Sequence, residues 1–215
     1  MKLQVIVIGL GRFGSATARE LHRVGHEVLA IDRDETTVND IAREVTHAVQ
    51  LDASDEDALA AVGAGDFGAA IVAIGSSAEA SIFATMALKK LGVPIVVAKA
   101  STALHGSILE RVGADRVVYP EQETGTRVAH SFAIPNILDY LDIAPQFGVE
   151  RVRPPRSFIG RTLREINLQG RLKLTPIALR RGSNVIVNPH HDEVVREADE
   201  LILIGRDDNL EQLVD

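Results

Sequence analysis

Three glycines at the spacing GxGxxG, in Gly9-Leu10-Gly11-Arg12-Phe13-Gly14, form the segment of this chain best suited to chemistry. They leave an apolar run, Val5-Ile6-Val7-Ile8, and open a segment of helical periodicity from Phe13 to Val24. In that setting the first glycine makes a tight turn and the second admits a pyrophosphate to the backbone. The third lets the helix pack closely on the strand. Free amides at the helix start, aided by the helix dipole, then face the anion. Arg12 adds a guanidinium inside the loop, suited to a terminal phosphate; a solvent-exposed arginine on the first helical turn is the alternative.

Asp32 ends a second apolar run, Val28–Ile31. A carboxylate there accepts hydrogen bonds from both ribose hydroxyls of an adenosine and repels a 2′-phosphate, although the adjacent Arg33 weakens that exclusion. Asp52-Ala53, Ala73-Ile74-Gly75 and Lys99 fall at the carboxyl ends of three later strand candidates, where sheets of this type bind ligands. Asp52 either meets an adenine amino group or caps the helix beginning near Ser54, where Ser54 and Asp55 are themselves capping types. Lys99 either reaches phosphate or stands exposed.

The elements that must position these residues alternate. Val5–Ile8, Val28–Ile31, Ala48–Leu51, Ala70–Ile74, Ile95–Ala98 and Arg116–Val118 are expected as buried strands. Phe13–Val24, Glu35–Arg43, Ser54–Ala61, Ala78–Leu91 and Ala103–Val112 are expected as helices between them, with Gly25, Gly92 and Gly113 at three helix ends. The order implies a doubly wound, Rossmann-like α/β domain with a parallel sheet. A further helix is expected over 124–141, kinked or broken at Pro135, as a crossover or subunit-contact element or else a simple interdomain connector. From Phe147 the pattern changes to a small α+β module. It has a short helix over 159–166, strands over 174–179, 185–187 and 201–204, and a closing helix over 207–213. We therefore expect domains at 1–141 and 147–215, the smaller one pairing with a copy of itself.

Composition narrows the function. The net charge of -7 argues against a general nucleic-acid binder. The absence of cysteine excludes disulfides, thiolate metal sites and thiol catalysis. No run approaches the roughly 20 apolar residues that span a bilayer, and the first apolar run is too short for a signal peptide, so a cytoplasmic protein is expected. His22, His26, His47, His105, His130 and His190-His191 are scattered, with no metal spacing and no proton-transferring group placed against a nicotinamide. The residues thus describe a nucleotide pocket without an evident reaction, and no enzyme is expected. An unusual NAD-dependent oxidoreductase is the alternative of another class.

Several strings together resemble the RCK (KTN) regulators of potassium conductance, especially the Ktr/Trk-type uptake subunits. Those strings are Val7 to Gly14, Gly25 to Asp32, Val72 to Gly75 and Gly113 to Glu121, then Ile159 to Glu165, Pro176 to Gly182, Asn188-Pro189 and Ala198 to Leu201. The resemblance implies a cytoplasmic regulatory subunit at the inner face of the membrane, docked on an integral potassium-translocating partner. It also implies self-assembly, commonly into an eight-membered gating ring; the same two modules also regulate other channels and transporters. It implies ATP, ADP or NAD(H) in the crevice, with Arg12 as the γ-phosphate sensor. Glu121 would help hold a divalent cation, magnesium or calcium, near the phosphates, or else serve as a helix N-terminal acid. Some relatives bind cyclic di-AMP in the second module, where Asn188 and Pro189 match; here Gln169 stands where several binders carry arginine, although Arg171 is near.

Overall fold

A computed structural model describes residues 2–133, 136–210, 212 and 213 of the chain. It forms two compact units, Met1–Glu121 and Gln122–Asp215. In the first, β1 (Gln4–Ile8), α1 (Arg12–Arg23), β2 (Glu27–Asp32), α2 (Glu35–Ile41) and β3 (His47–Gln50) follow in strict alternation. Then come α3 (Glu56–Ala61), β4 (Ala69–Val72), α4 (Ala78–Lys90), β5 (Ile95–Lys99), α5 (Ala103–Arg111) and β6 (Arg116–Val118). The six strands pair in the order β3-β2-β1-β4-β5-β6, every pair parallel.

Alternate residues of β1 serve opposite faces of this sheet. Ile6 and Ile8 join Leu59, Val72, Leu88, Val96 and Leu109 in one buried cluster. Val7 joins Leu10, Ala18, Val28, Val38 and Ile41 in another. A strand that must be apolar on both faces reads as a continuous apolar run, which is why β1 and β2 are so plain in the sequence. The chain leaves β1 for β2 on one side and returns beside β1 as β4. The carboxyl ends of β1 and β4 therefore splay connections in opposite directions, and a crevice opens between them.

The helix α6 (Pro120–Ala133) begins four residues before the expected helix, with proline at the first helical position, where its missing amide costs nothing. The expected helix over 124–141 is corrected in its second half. Ile137–Ala144 is a strand, β7, that turns back at Pro145-Gln146 and pairs antiparallel with β8 (Phe147–Val152). Ile137, Tyr140 and Leu141 have helical spacing, but Ile137 and Tyr140 are buried by a sheet instead. The expected kink at Pro135 lies outside the described residues.

The second unit continues with α7 (Leu163–Ile166), α8 (Leu168–Leu172), β9 (Thr175–Arg181), β10 (Asn184–Val187), β11 (Asp199–Arg206) and α9 (Asp207–Leu210). Its five strands run β10-β9-β11-β8-β7, all antiparallel, around a core that includes Val152, Leu163, Ile166, Leu174, Leu179 and Leu203. Thr162 and Glu165 close a reciprocal capping box at the start of α7. Arg181 binds the fully buried Asp199 carboxylate from β11 at 2.8 Å and Glu193 at 2.9 Å. Arg181 thus holds β9 to β11 and to the loop that carries Glu193.

Candidate functional site

The glycine-rich loop is built from close backbone contacts. The Gly9 amide donates to the Ile31 carbonyl at 2.8 Å, and the Ala73 amide donates to Ile8 at 2.7 Å, tying β1 to both neighbours just below the loop. Gly9 has φ +89, and a Cβ there would stand 2.8 Å from the Ile74 amide nitrogen. A Cβ on Gly14 would fall on the Gly9 carbonyl oxygen. Both glycines are therefore demanded by the chain's own packing. Gly11 is different: it caps α1 with φ -65, offers no side-chain cap, and a Cβ there would meet nothing within 4 Å. Its open side faces the crevice, and the first turn of α1 carries no acid to answer its dipole. That is the cradle a pyrophosphate requires.

Asp32 has a second duty that its sequence position does not disclose. One carboxylate oxygen accepts the Leu10 amide at 2.6 Å, and the other accepts the Asp34 amide at 3.0 Å. The acid at the end of β2 thus fixes the glycine loop across the sheet. Since an ionised carboxylate offers about four lone-pair directions, two remain for ribose hydroxyls. Asp34 caps α2 through the Thr36 amide at 2.8 Å and adds a second acid to the cavity lining.

Asp52 does not cap α3. It accepts the Ser54 amide at 3.0 Å and the Ser54 hydroxyl at 2.6 Å, while Asp55 caps the helix through Asp57 and Ala58. The Ser54 hydroxyl and amide, with Arg33 nearby, hold the Asp52 carboxyl below its ordinary pKa. Lys99, at the end of β5, is mostly buried (side chain 13% exposed) and reaches Glu121 of α6 at 2.5 Å. This hydrogen bond with the ammonium lowers the Glu121 pKa. The same ammonium stands 6.0 Å from the centre of the Phe13 ring.

These groups surround a cavity of about 740 Å³, within the usual range for small-molecule sites. Gly9, Gly11, Arg12, Phe13, Asp32 and Arg33 line it from the first half of the sheet. Asp52 and Ala53, just after β3, line it from the same half, and Ile74, Gly75, Lys99 and Glu121 line it from the β4-β5-β6 half. Gly14 packs beneath the loop. Among the described residues Arg12 has no ion pair. Thr37, Ser76, Ser77, Glu79 and Phe83, to which no sequence motif points, are also part of the lining. Ser77 was detectable, since it caps α4 through the Ala80 amide at 3.1 Å; nothing in the sequence marks Phe83. Among the described residues no group of three or more acidic or imidazole side chains has metal-binding geometry. Asn188 and Pro189 belong to the second unit and are not among the residues that line this cavity. Asn188 follows β10 with φ 50 and donates its amide to the Ile177 carbonyl at 2.9 Å; Pro189 is buried.

Residues 5–120 match the TrkA-N domain and residues 149–215 the TrkA-C domain. The chain belongs to the TrkA-N/TrkA-C family. TrkA-type relatives include Ktr system potassium uptake protein C of Bacillus subtilis (strain 168), 38% identical over 205 residues, 95% of this chain and 93% of the relative. Ktr system potassium uptake protein A of the same organism is 36% identical over 202 residues, 94% of this chain and 91% of the relative. The RCK domain of GsuK superposes over 99% of this chain and 48% of its own with a TM-score of 0.68 at 18% identity, a likeness of fold. The GsuK channel bound to NAD covers 99% of this chain and 38% of its own, with a TM-score of 0.54 and 25% identity. This chain therefore spans about half or less of those GsuK chains, and nearly all of the Ktr relatives. The parallel sheet followed by a small antiparallel module is the TrkA-N/TrkA-C arrangement expected from the sequence strings. Among the described residues no helix is long and apolar enough to cross a membrane.

Proposed function

We propose that this TrkA-type chain is a nucleotide-sensing regulatory subunit that gates a membrane potassium-translocating partner. The observation that carries the reading is the open side of Gly11. Two loop glycines are required by the fold itself, and the third leaves room at a helix start facing a polar cavity. ATP or ADP fits the lining best, with NAD(H) also accommodated. The ribose lies at Asp32, the pyrophosphate at Gly11, and the terminal phosphate at Arg12. The chain binds its nucleotide rather than transforming it. Magnesium or calcium would sit between the phosphates and Glu121. Cyclic di-AMP would find Asn188 and Pro189 in the second unit, with Gln169 supplying no charge for its phosphates.

Regulation sets a thermodynamic condition. Moving a partner from mostly closed to mostly open takes about 5.5 kcal/mol of differential binding, and equal affinity for both states shifts nothing. A homo-oligomer with several coupled pockets gathers that energy in parts. Self-association, docking at the inner face of the membrane and a position in the cytoplasm belong to the same proposal. Calorimetric titration with ATP, ADP and NADH, with and without magnesium, tests it. Saturable adenine-nucleotide binding without turnover is the expected result; failure of all three to bind removes the sensing function.

A further inference from the structure

Lys99 occupies the one point where the glycine loop, the turn after β4 and the start of α6 converge. Its ammonium lies 6.0 Å from the Phe13 ring on the first turn of α1. A Cβ built on Gly75 would stand 3.5 Å from it. It donates to Glu121, the second residue of α6, at 2.5 Å. The partners are unequally placed: the Lys99 side chain is 13% exposed, whereas Glu121 is 70% exposed. The lysine is thus anchored in the cavity wall, and the carboxylate that holds it is largely exposed to solvent. Arg12, the other cation at this end of the lining, has no such partner among the described residues.

Resting on the nucleotide-pocket reading above, we propose that Lys99 is a polyphosphate-binding residue kept in reserve by Glu121. Phosphate oxygens arriving at the glycine loop take the ammonium from the carboxylate, and α6 loses the tether at its first turn. A polyphosphate carries more charge than a single carboxylate and is held by the loop amides at the same time, so it wins the exchange. The device discriminates by phosphate content. A nucleoside without phosphates leaves the pair intact, and a diphosphate or triphosphate breaks it. It also places the readout at Glu121, the last residue of the first compact unit and the second residue of α6.

The test is calorimetric titration of the full chain in EDTA with adenosine, ADP and ATP, using wild type, Glu121→Gln, Lys99→Met and the double variant. Melting by circular dichroism verifies that each remains folded. Glu121→Gln removes the competitor and should tighten ADP and ATP roughly two- to fivefold, the range for a largely exposed pair, without changing adenosine. Lys99→Met should weaken ATP by about tenfold or more, as loss of a charge-assisted hydrogen bond does. In the Lys99→Met background, Glu121→Gln should change nothing, whereas direct repulsion of phosphate by the carboxylate would still be relieved there. If Glu121→Gln leaves ATP affinity unchanged or weaker in EDTA, the exchange is wrong, even though the pocket binds. If wild type binds neither ADP nor ATP, the pocket reading fails and this inference fails with it.

Discussion

Replacing Asp32 separates the two duties assigned to it, bracing the glycine loop and facing a ribose. In Asp32→Asn the single amide oxygen can keep only one of the two backbone donors. The buried Leu10 amide, at 2.6 Å, is the costlier to abandon, so the oxygen should stay there and the Asp34 amide should turn to water. A hydrogen bond to a charged acceptor is worth about 1.5–3 kcal/mol and a neutral one about 0.5–1.5. Asp32→Asn should therefore cost about 1–2 kcal/mol. Asp32→Ala leaves Leu10 without an acceptor and should cost about 2–4 kcal/mol. For a cooperative unit of this size each kcal/mol lowers the melting temperature by roughly 3–6 °C. Thermal unfolding gives the global cost, and hydrogen exchange of the Leu10 amide gives the local one. Both variants should also lose adenine-nucleotide affinity. An Asp32→Ala protein with the wild-type melting temperature and an equally protected Leu10 amide would refute the bracing role. Lost binding alone would leave Asp32 as a ligand group only.

The glycines divide in the same manner. Gly14→Ala should cost roughly 1–3 kcal/mol, because its methyl meets buried backbone, whereas Gly11→Ala should change stability by less than about 1 kcal/mol yet weaken nucleotide binding in calorimetry. Arg12→Ala should bring ATP and ADP affinities together, and a retained preference for ATP would show that the terminal phosphate is sensed elsewhere. In the second unit, Asp199→Asn breaks a buried pair and should cost about 3–5 kcal/mol in denaturant unfolding. Burial alone would raise the Asp199 pKa. The Arg181 guanidinium and the Arg196 amide outweigh that and hold it below the usual range. Its stabilisation is therefore present above the unfolded pKa, near 4, and lost as pH falls through the lower folded value. Acid titration of unfolding should show this loss in wild type and not in Asp199→Asn.

Most of the site's framework is legible in the sequence because it depends on local chemistry. Gly9 reports the turn and Gly14 the close approach of helix to loop, while Gly11 marks the helix start. Gly25, Gly92 and Gly113, read as helix ends, all have positive φ. What sequence cannot disclose depends on pairing across the fold. Asp32 meets Leu10, and Lys99 meets Glu121, only because a parallel sheet sets their strands side by side. Likewise β7 reads as a helix until its pairing with β8 supplies backbone partners, as tertiary context overrides a weak local preference. The start of α6 was within reach, since Pro120 and Glu121 are N-terminal helix types. Domain texture was legible too, because continuous apolar runs give way to strands with one polar face.

The most direct test of the account is potassium flux through a Ktr-type translocating subunit in sealed vesicles. It is measured with and without this chain bound outside, in ATP and in ADP. Flux should depend on the chain, differ between the two nucleotides, and lose that difference in Arg12→Ala. Flux indifferent to the nucleotide, with the chain demonstrably bound to the vesicles, would contradict it.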